Sequence, residues 1–438
     1  MINTALVKLW GTTIGAVSLD DSQRTARFEY DLSFLSSGIE VSPVVMPLKK
    51  GIYSFPALSY ESFHGLPGLL SDSLPDKFGN ELINVWLAKQ GRLPESFNAV
   101  ERLCYTGTRG MGALEYEPAV SSIVEDVSQI QVSELVELAS MVLSNRKNLQ
   151  VVLDECDKKK LTASLKHIIS IGTSAGGARA KAVIAWNPKT NEVRSGQIET
   201  DSDFEYWLIK FSGVSGNKDK EEEDLSDFGM IEYAYYLMAK DCGINMMPCR
   251  LLDDGKNHHF MTKRFDRTAE GKKLHMQSLA AIGHFDFNAA GSTSYEQCFT
   301  IMNALGLGHN EKIDMFRRMV FNVAACNCDD HVKNISFLMD RRGKWSLAPA
   351  YDVSFAYNPE GAWTSSHQMT INGKRKNITT ADFDTCAKIA GLKNKEVQDS
   401  IDEVCSSVSH WKSFAQTADL PEERARAIGT MQGGVPSI

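Results

Sequence analysis

Alternating apolar and polar residues mark the first sixty positions of the chain as strands. The run Ala5–Trp10 leads into a turn centred on Gly11, and the runs Ile14–Val17 and Arg27–Tyr30 follow. A period of two places successive side chains on opposite faces of a sheet, so this region predicts a β-rich unit. From about residue 61 the apolar residues take up helical spacing, most clearly over Glu81–Leu87.

Two predicted helices have residues near their first turn that favour helix initiation. Asp72 or Ser73 can cap a helix that Pro75 begins, because proline suits the first turn and a short polar side chain can bind the unpaired amides. A second amphipathic helix is predicted over 132–143, with Ser133 as its cap. We place a domain boundary near residues 120–150.

The middle of the chain predicts a second β-rich unit, and the rest is mostly helical. Lys210 lies near the end of one strand, and Glu232 lies on a strongly helical segment. Beyond residue 275 the helical spacing is interrupted by a single hairpin at 335–348. The predicted elements of the middle unit are, in order, a loop of small residues at 171–181, strands at 182–186 and 206–211, an acidic loop at 217–227, a helix at 230–240 and a strand at 259–266.

Composition narrows the possible environments of the chain. The 438 residues carry a formal charge of −8, which argues against a whole-chain basic surface for nucleic acid, although a local patch is still possible. The nine cysteines form no CxxC pair, which favours a reducing compartment over a disulfide framework or a zinc ribbon. No apolar run approaches the ~18 residues of a membrane span, and no secretion signal is visible, so we expect a cytoplasmic protein.

The most informative chemistry lies on either side of the predicted hairpin. Asp329 is followed five residues later by Asn334, and the return strand of the hairpin leads to Asp352. Kinase-type phosphoryl transfer needs a base carboxylate, an asparagine oxygen for magnesium, and a second carboxylate on the metal. The Asp-to-Asn spacing is that of a protein-kinase catalytic loop, and the pattern Asp-x-His-x-x-Asn also resembles that of phosphoinositide kinases.

Two other interpretations of this segment stay open. The residues 329–331 could form a turn that caps neighbouring elements, since polar loops before hairpins are common. A metal site made from His331, Cys326 and Cys328 is less favoured, because no second Cys/His pair has zinc spacing.

Upstream residues favour the kinase interpretation through their order. The glycines and alanines of the 172–181 loop leave room for backbone amides to approach phosphates, and Lys210 follows on a strand. The order of these parts along the chain is that of a two-lobed kinase. It runs from a loop, a strand, a lysine and a helix with Glu232 to Asp329, Asn334, the hairpin and Asp352.

The combination of motifs resembles the HipA family, the serine/threonine kinase toxins of bacterial type II toxin–antitoxin pairs. The resemblance extends over nearly the whole chain. It rests on residues 71–77 (SDSLPDK), 174–181 (SAGGARAK), Lys210, 264–267 (RFDR), 329–334 (DDHVKN), 349–352 (PAYD) and 367–374 (HQMTINGK).

The resemblance implies a fold and a domain organisation. We predict an α+β, two-lobed protein-kinase-like fold, related to that of phosphoinositide kinases, with an N-terminal β-rich, small-barrel-like subdomain and a helical C-lobe. The predicted parts are the N-terminal subdomain at 1–120, the rest of the N-lobe with the nucleotide loop and the kinase lysine at 121–265, and the helical C-lobe with the catalytic loop and the metal-binding aspartate at 266–438.

The resemblance also implies roles for individual residues. Asp329 is the catalytic base, Asn334 and Asp352 bind magnesium, and Ser174 is the loop serine whose autophosphorylation switches the kinase off. The adenine-binding hinge is expected within 260–265. The residues assigned to ATP are Lys210, Lys181, Gly176, Gly177, Ala178, His331, Lys333, Asn334 and Asp352.

The loop departs from the better-known family pattern, since Arg179-Ala180 stand where Gln-Glu is common. The family implies a small helix-turn-helix, HipB-like antitoxin as partner, operator DNA held through that antitoxin, and a protein substrate such as an aminoacyl-tRNA synthetase. The basic cluster 374–376 is either a solvated turn or a contact to DNA phosphates. A non-catalytic regulatory subunit and a small-molecule or lipid kinase are the competing functions.

Overall fold

A computed structural model describes residues 2–19, 24–120, 130–145, 168, 179–196, 202–215, 227–268 and 270–433. Within these residues the chain forms three antiparallel sheets and thirteen α-helices, an α+β fold as predicted. None of the described helices is both long and apolar enough to cross a membrane.

The first sheet is built from the alternating segments near the N-terminus. Its strands are β1 (Thr4–Leu9), β2 (Thr12–Ser18), β3 (Arg27–Tyr30), β4 (Ile52–Tyr53) and β5 (Leu114–Glu117), in the order β4-β3-β2-β1-β5. It is an open sheet with β4 and β5 at its edges, whereas the sequence suggested a small barrel.

Four helices accompany this sheet: α1 (Tyr60–Phe63), α2 (Gly68–Ser71), α3 (Lys77–Lys89) and α4 (Ala99–Thr106). The predicted cap of α3 was wrong. Asp76 caps it by accepting a hydrogen bond from the Gly79 amide at 2.7 Å, and the helix begins after Pro75. Asp72 instead follows the last residue of α2.

The second sheet carries Lys210 and is covered by helices. Its strands are β6 (Lys181–Trp186), β7 (Val193–Ser195), β8 (Glu205–Lys210), β9 (Cys249–Asp253) and β10 (His258–Lys263), in the order β7-β6-β8-β10-β9. Helix α5 (Val132–Ser144) shares a buried apolar core with this sheet and with α3. Helix α3 belongs to the segment 1–120 that was predicted as the N-terminal subdomain. Ser133 is inside α5 rather than its cap, since Gln131 holds that position. Helix α6 (Phe228–Asp241) carries Glu232.

Two strands of a third, three-stranded sheet follow the predicted catalytic loop, residues 328–334. Strands β12 (Ser336–Met339) and β13 (Trp345–Leu347) form the predicted hairpin, and β11 (His275–Ser278) pairs with β12. Strand β11 was missed in the sequence because its partner lies some sixty residues further along the chain.

The helices of the C-terminal part complete the fold. Many of their apolar residues belong to one buried core that also includes the inner face of the first sheet. These helices are α7 (Leu279–Gly283), α8 (Tyr295–Ala304), α9 (His309–Ala324), α10 (Thr380–Ala390), α11 (Asn394–Ser409), α12 (Trp411–Thr417) and α13 (Glu422–Gly433).

Candidate active site

A buried lysine at the end of β8 holds two carboxylates from distant parts of the chain. The Nζ of Lys210 lies 2.5 Å from Oε1 of Glu232 on α6, and it also binds the carboxylate of Asp352. Burial favours the neutral amine, but the Coulombic attraction of Asp352 and Glu232 outweighs it and raises the pKa of Lys210. A lysine on a strand paired with a helix glutamate is the phosphate-positioning pair of protein kinases.

Asp352 reaches this lysine because of the hairpin. Strands β12 and β13 run antiparallel and return the chain to the level of Asn334. The backbone at Asp352 then has a left-handed conformation, with a φ of +53°. Burial opposes ionisation of Asp352, but Lys210 and then Lys181 more than compensate, so the pKa of this carboxyl is held below its usual range. The carboxylate is therefore charged at neutral pH and lines the same cleft as Asn334.

The predicted catalytic loop places Asp329 and Asn334 side by side. A short 3₁₀ helix, Val332–Asn334, folds the loop back, and Nδ2 of Asn334 donates to the Asp329 carbonyl at 2.9 Å. Because that bond uses the amide nitrogen, the amide oxygen of Asn334 faces the other way. The Tyr351 hydroxyl donates to the Lys333 carbonyl at 2.6 Å and ties the loop to the Asp352 segment.

The two adjacent aspartates of the loop have different surroundings. The side chain of Asp329 is 42 % exposed, whereas that of Asp330 is 1 % exposed. Asp330 accepts hydrogen bonds from the Tyr295 hydroxyl at 2.8 Å and the Gln368 amide at 2.7 Å, and it pairs with His367 at 3.1 Å. Of the two, Asp329 is therefore accessible from solvent, while Asp330 anchors the loop.

The Asp330–His367 pair is ionised. Burial disfavours the imidazolium, but the carboxylate of Asp330 outweighs burial and raises the pKa of His367 to about 10. His367 and Gln368 belong to the 367–374 motif, but no local pattern indicated that they support the predicted catalytic loop.

Two further lysines lie next to carboxylates of the N-terminal part. Lys181 begins β6 directly opposite Lys210 on β8, and its Nζ lies 3.5 Å from Oδ2 of Asp76. Burial lowers the pKa of Lys333, an effect that Asp72 and Asp76 oppose. The aspartates of the SDSLPDK motif thus lie near the lysines around the site, and burial raises the pKa of Asp76 against the opposing effect of Lys181.

A cleft of about 880 Å³ opens beside these groups. Lys263, Arg264 and Phe265, at the end of β10, line it within the segment expected to form the hinge. Its apolar walls include Met111, Leu114, Leu208 and Met276, and its polar end includes Lys333, Asn334 and Asp352. Apolar walls with a charged end suit a planar base attached to phosphates.

Several predicted site residues lie outside the described part of the chain. These are Ser174, Gly176, Gly177 and Ala178 of the small-residue loop. His331 is described, and its Nε2 lies 3.9 Å from Oδ1 of Asp329. The structure therefore brings together Asp329, His331, Lys333, Asn334, Asp352, Lys210 and Lys181.

The residues present fit magnesium better than zinc. Asp352 and Asn334 offer a carboxylate and an amide oxygen, the hard ligands that magnesium prefers. Burial raises the pKa of the Cys326 thiol to about 12, which disfavours the thiolate form that zinc binds. Among the described residues, no group of three or more His, Cys, Asp or Glu is arranged to hold a metal ion.

The order of sheets, helices and loop is that of a two-lobed, protein-kinase-like chain. Residues 173–412 match the model of the HipA-like C-terminal domain, and residues 5–117 match that of the HipA N-terminal domain. The chain therefore belongs to the HipA family.

Individual relatives and a solved structure agree with this placement. The chain is 26 % identical to “Putative kinase Y4dM” of Sinorhizobium fredii over 255 residues, which are 53 % of this chain and 57 % of that protein. It is 28 % identical to a “Putative kinase” of Haemophilus influenzae over 147 residues, 30 % of this chain and 42 % of that protein. The chain thus spans about half the length of the curated relatives it matches.

The fold resembles that of the HipA toxin of Shewanella oneidensis, solved with HipB and its operator DNA. The TM-score is 0.64 at 16 % identity, over 98 % of this chain and 95 % of that chain. At this identity the likeness concerns the fold.

Proposed function

We propose that the chain is an ATP- and magnesium-dependent protein serine/threonine kinase that acts as the toxin of a bacterial toxin–antitoxin pair. The observation that carries the proposal is the meeting of Lys210, Glu232 and Asp352 at the polar end of a cleft that Asn334 also lines. The exposed carboxylate of Asp329 lies on the same loop as Asn334.

Each residue would have one role in transfer. Lys210, kept charged by its carboxylate partners, would hold ATP phosphates, and Asn334 and Asp352 would hold magnesium. When bound, magnesium neutralises phosphate charge. Asp329 accepts the proton of the substrate hydroxyl at a carboxylate oxygen, and Lys333 and His331 lie on the same loop near the phosphate end. Substrate positioning and charge neutralisation supply most of the rate, since the transition state is loose.

We also propose that Ser174 is autophosphorylated and that this modification switches the kinase off. A phosphate adds a charge of about −1.5 to −2 at neutral pH, which would be repelled by ATP phosphates and by Asp352. The loop that contains Gly176, Gly177 and Ala178 would then no longer cover the nucleotide.

Incubation with Mg-ATP should therefore add one phosphate, mapped to Ser174, and the modified protein should bind ATP poorly. Intact mass, peptide mapping and a thermal-shift titration measure these effects, with Ser174→Ala as the control that gains no phosphate. Phosphate found only elsewhere, with ATP binding unchanged, would exclude this switch.

We propose a small helix-turn-helix, HipB-like antitoxin as the partner, which would supply most of the DNA binding and with which the chain co-represses its operon. The net charge of −8 supports this division, because affinity for DNA comes mainly from cationic contacts to phosphates. A protein such as an aminoacyl-tRNA synthetase would be the substrate.

In a gel shift at physiological salt, the chain alone should bind operator DNA weakly, and addition of the antitoxin should produce a stable complex. Tight, operator-specific binding by the isolated chain would show that the division of labour is wrong.

A further inference from the structure

The segment 363–368 lies along the catalytic loop and contacts three consecutive loop residues, 328–330. We propose that Trp363 is a positioning residue that orients the carboxylate of the base, Asp329, for proton transfer. The inference rests on the proposed kinase function and extends it to a residue that the catalytic motifs do not include.

The contact between the two side chains is direct. The indole Nε1 of Trp363 donates a hydrogen bond of 2.7 Å to Oδ1 of Asp329. A donor fixed on one oxygen limits rotation of the carboxylate, and it leaves Oδ2 to accept the proton of a hydroxyl. Hydrogen bonds to charged groups are shorter and stronger than those between neutral groups.

Gln368 ties Trp363 to the loop that the indole contacts. The side-chain amide of Gln368 donates to the carbonyls of Trp363 at 2.6 Å and of Cys328 at 3.2 Å. The backbone amide of Gln368 donates to Oδ1 of Asp330 at 2.7 Å. Gln368 therefore links the backbone of Trp363 to the loop that carries Asp329.

The buried ion pair strengthens this attachment. Asp330 and His367 have side chains only 1 % and 8 % exposed, and each satisfies the charge of the other. A buried pair of this kind contributes little net stability, but it penalises any arrangement that separates the two groups. Sliding of the 363–368 segment along the loop would separate them, so the indole stays in register with Asp329.

The chemistry of tryptophan suits the task. Indole N–H is a donor only, so it cannot compete with Asp329 for the proton of the substrate. It also carries no charge, so it orients the carboxylate without adding a cation beside the base.

Trp363→Phe tests the proposal, because it keeps an aromatic ring and removes the donor. We expect kcat for phosphate transfer to fall by about tenfold to a hundredfold, the scale of losses from misplaced catalytic groups. The KM for Mg-ATP and the stoichiometry of ATP binding should stay at wild-type values, because the indole Nε1 donates to Asp329, which is assigned to the substrate hydroxyl and not to ATP.

Trp411→Phe is the matched control. Its indole donates a 2.8 Å bond to the Ala425 carbonyl, between α12 and α13, and not to a residue of the catalytic loop. This variant should lose some thermal stability but keep wild-type kcat. If Trp363→Phe transfers phosphate at or above the wild-type rate, or if its loss follows the loss of folded, ATP-binding protein, the proposal is overturned.

A spectroscopic measurement keeps the test independent of activity. In ¹⁵N-tryptophan-labelled protein, Asp329→Asn should shift one of the seven indole resonances strongly, since the acceptor of that indole changes from a carboxylate to an amide. No shifted indole would show that the contact does not exist in solution. If wild-type protein transfers no phosphate but the indole shifts, the kinase proposal fails and the contact stands.

Discussion

Asp329→Asn is expected to lower the rate of phosphate transfer by about 10²- to 10⁴-fold, the usual contribution of a general base. Asparagine has nearly the same volume and can still accept the Trp363 hydrogen bond at its amide oxygen, but it cannot take a proton from a hydroxyl. The fold and the affinity for Mg-ATP should therefore stay close to wild type. Initial rates of ³²P transfer, with thermal melting of each protein, measure both effects.

The control for this variant is Asp384→Asn, which removes the same charge from an exposed position on α10. It should transfer phosphate at the wild-type rate. Wild-type transfer by Asp329→Asn would exclude Asp329 as the base.

Asp352→Asn is expected to weaken binding of the magnesium nucleotide by about tenfold to a hundredfold, as for loss of a hydrogen-bonded charged group. The substitution removes the only formal negative charge that Asn334 and Asp352 together offer a metal ion. It also takes one of the two carboxylates from Lys210, which keeps Glu232. Binding of ATP without magnesium should change much less.

Thermal-shift titrations with Mg-ATP and with ATP plus EDTA separate these two effects. For the wild type we expect a larger rise in melting temperature with Mg-ATP than with ATP plus EDTA. This difference should be nearly absent in Asp352→Asn. An unchanged affinity for Mg-ATP in the variant would contradict the role of Asp352 as a magnesium ligand.

The sequence predicted those parts of the site that depend on local pattern. The hairpin at 335–348 follows from two short apolar runs around a turn, and it brings Asp352 back towards Asn334. Lys210 and Glu232 were each placed on the correct kind of element, but the contact between them was not predicted.

The parts that the sequence missed depend on contacts between distant residues. Asp330 and His367 are 37 positions apart, and nothing in the local pattern shows that both are buried and paired. Strand β11 is too short to identify without its partner β12. The cap of α3 was misplaced because several residues of the SDSLPDK motif can cap a helix equally well.

Transfer of ³²P from [γ-³²P]ATP to protein by the wild-type chain, followed by phosphoamino-acid analysis, tests the kinase claim most directly. We predict magnesium-dependent labelling of serine or threonine, and a rate of labelling lower by about 10²- to 10⁴-fold with Asp329→Asn. Folded wild-type protein that binds Mg-ATP yet labels neither itself nor any protein of its native host would contradict it.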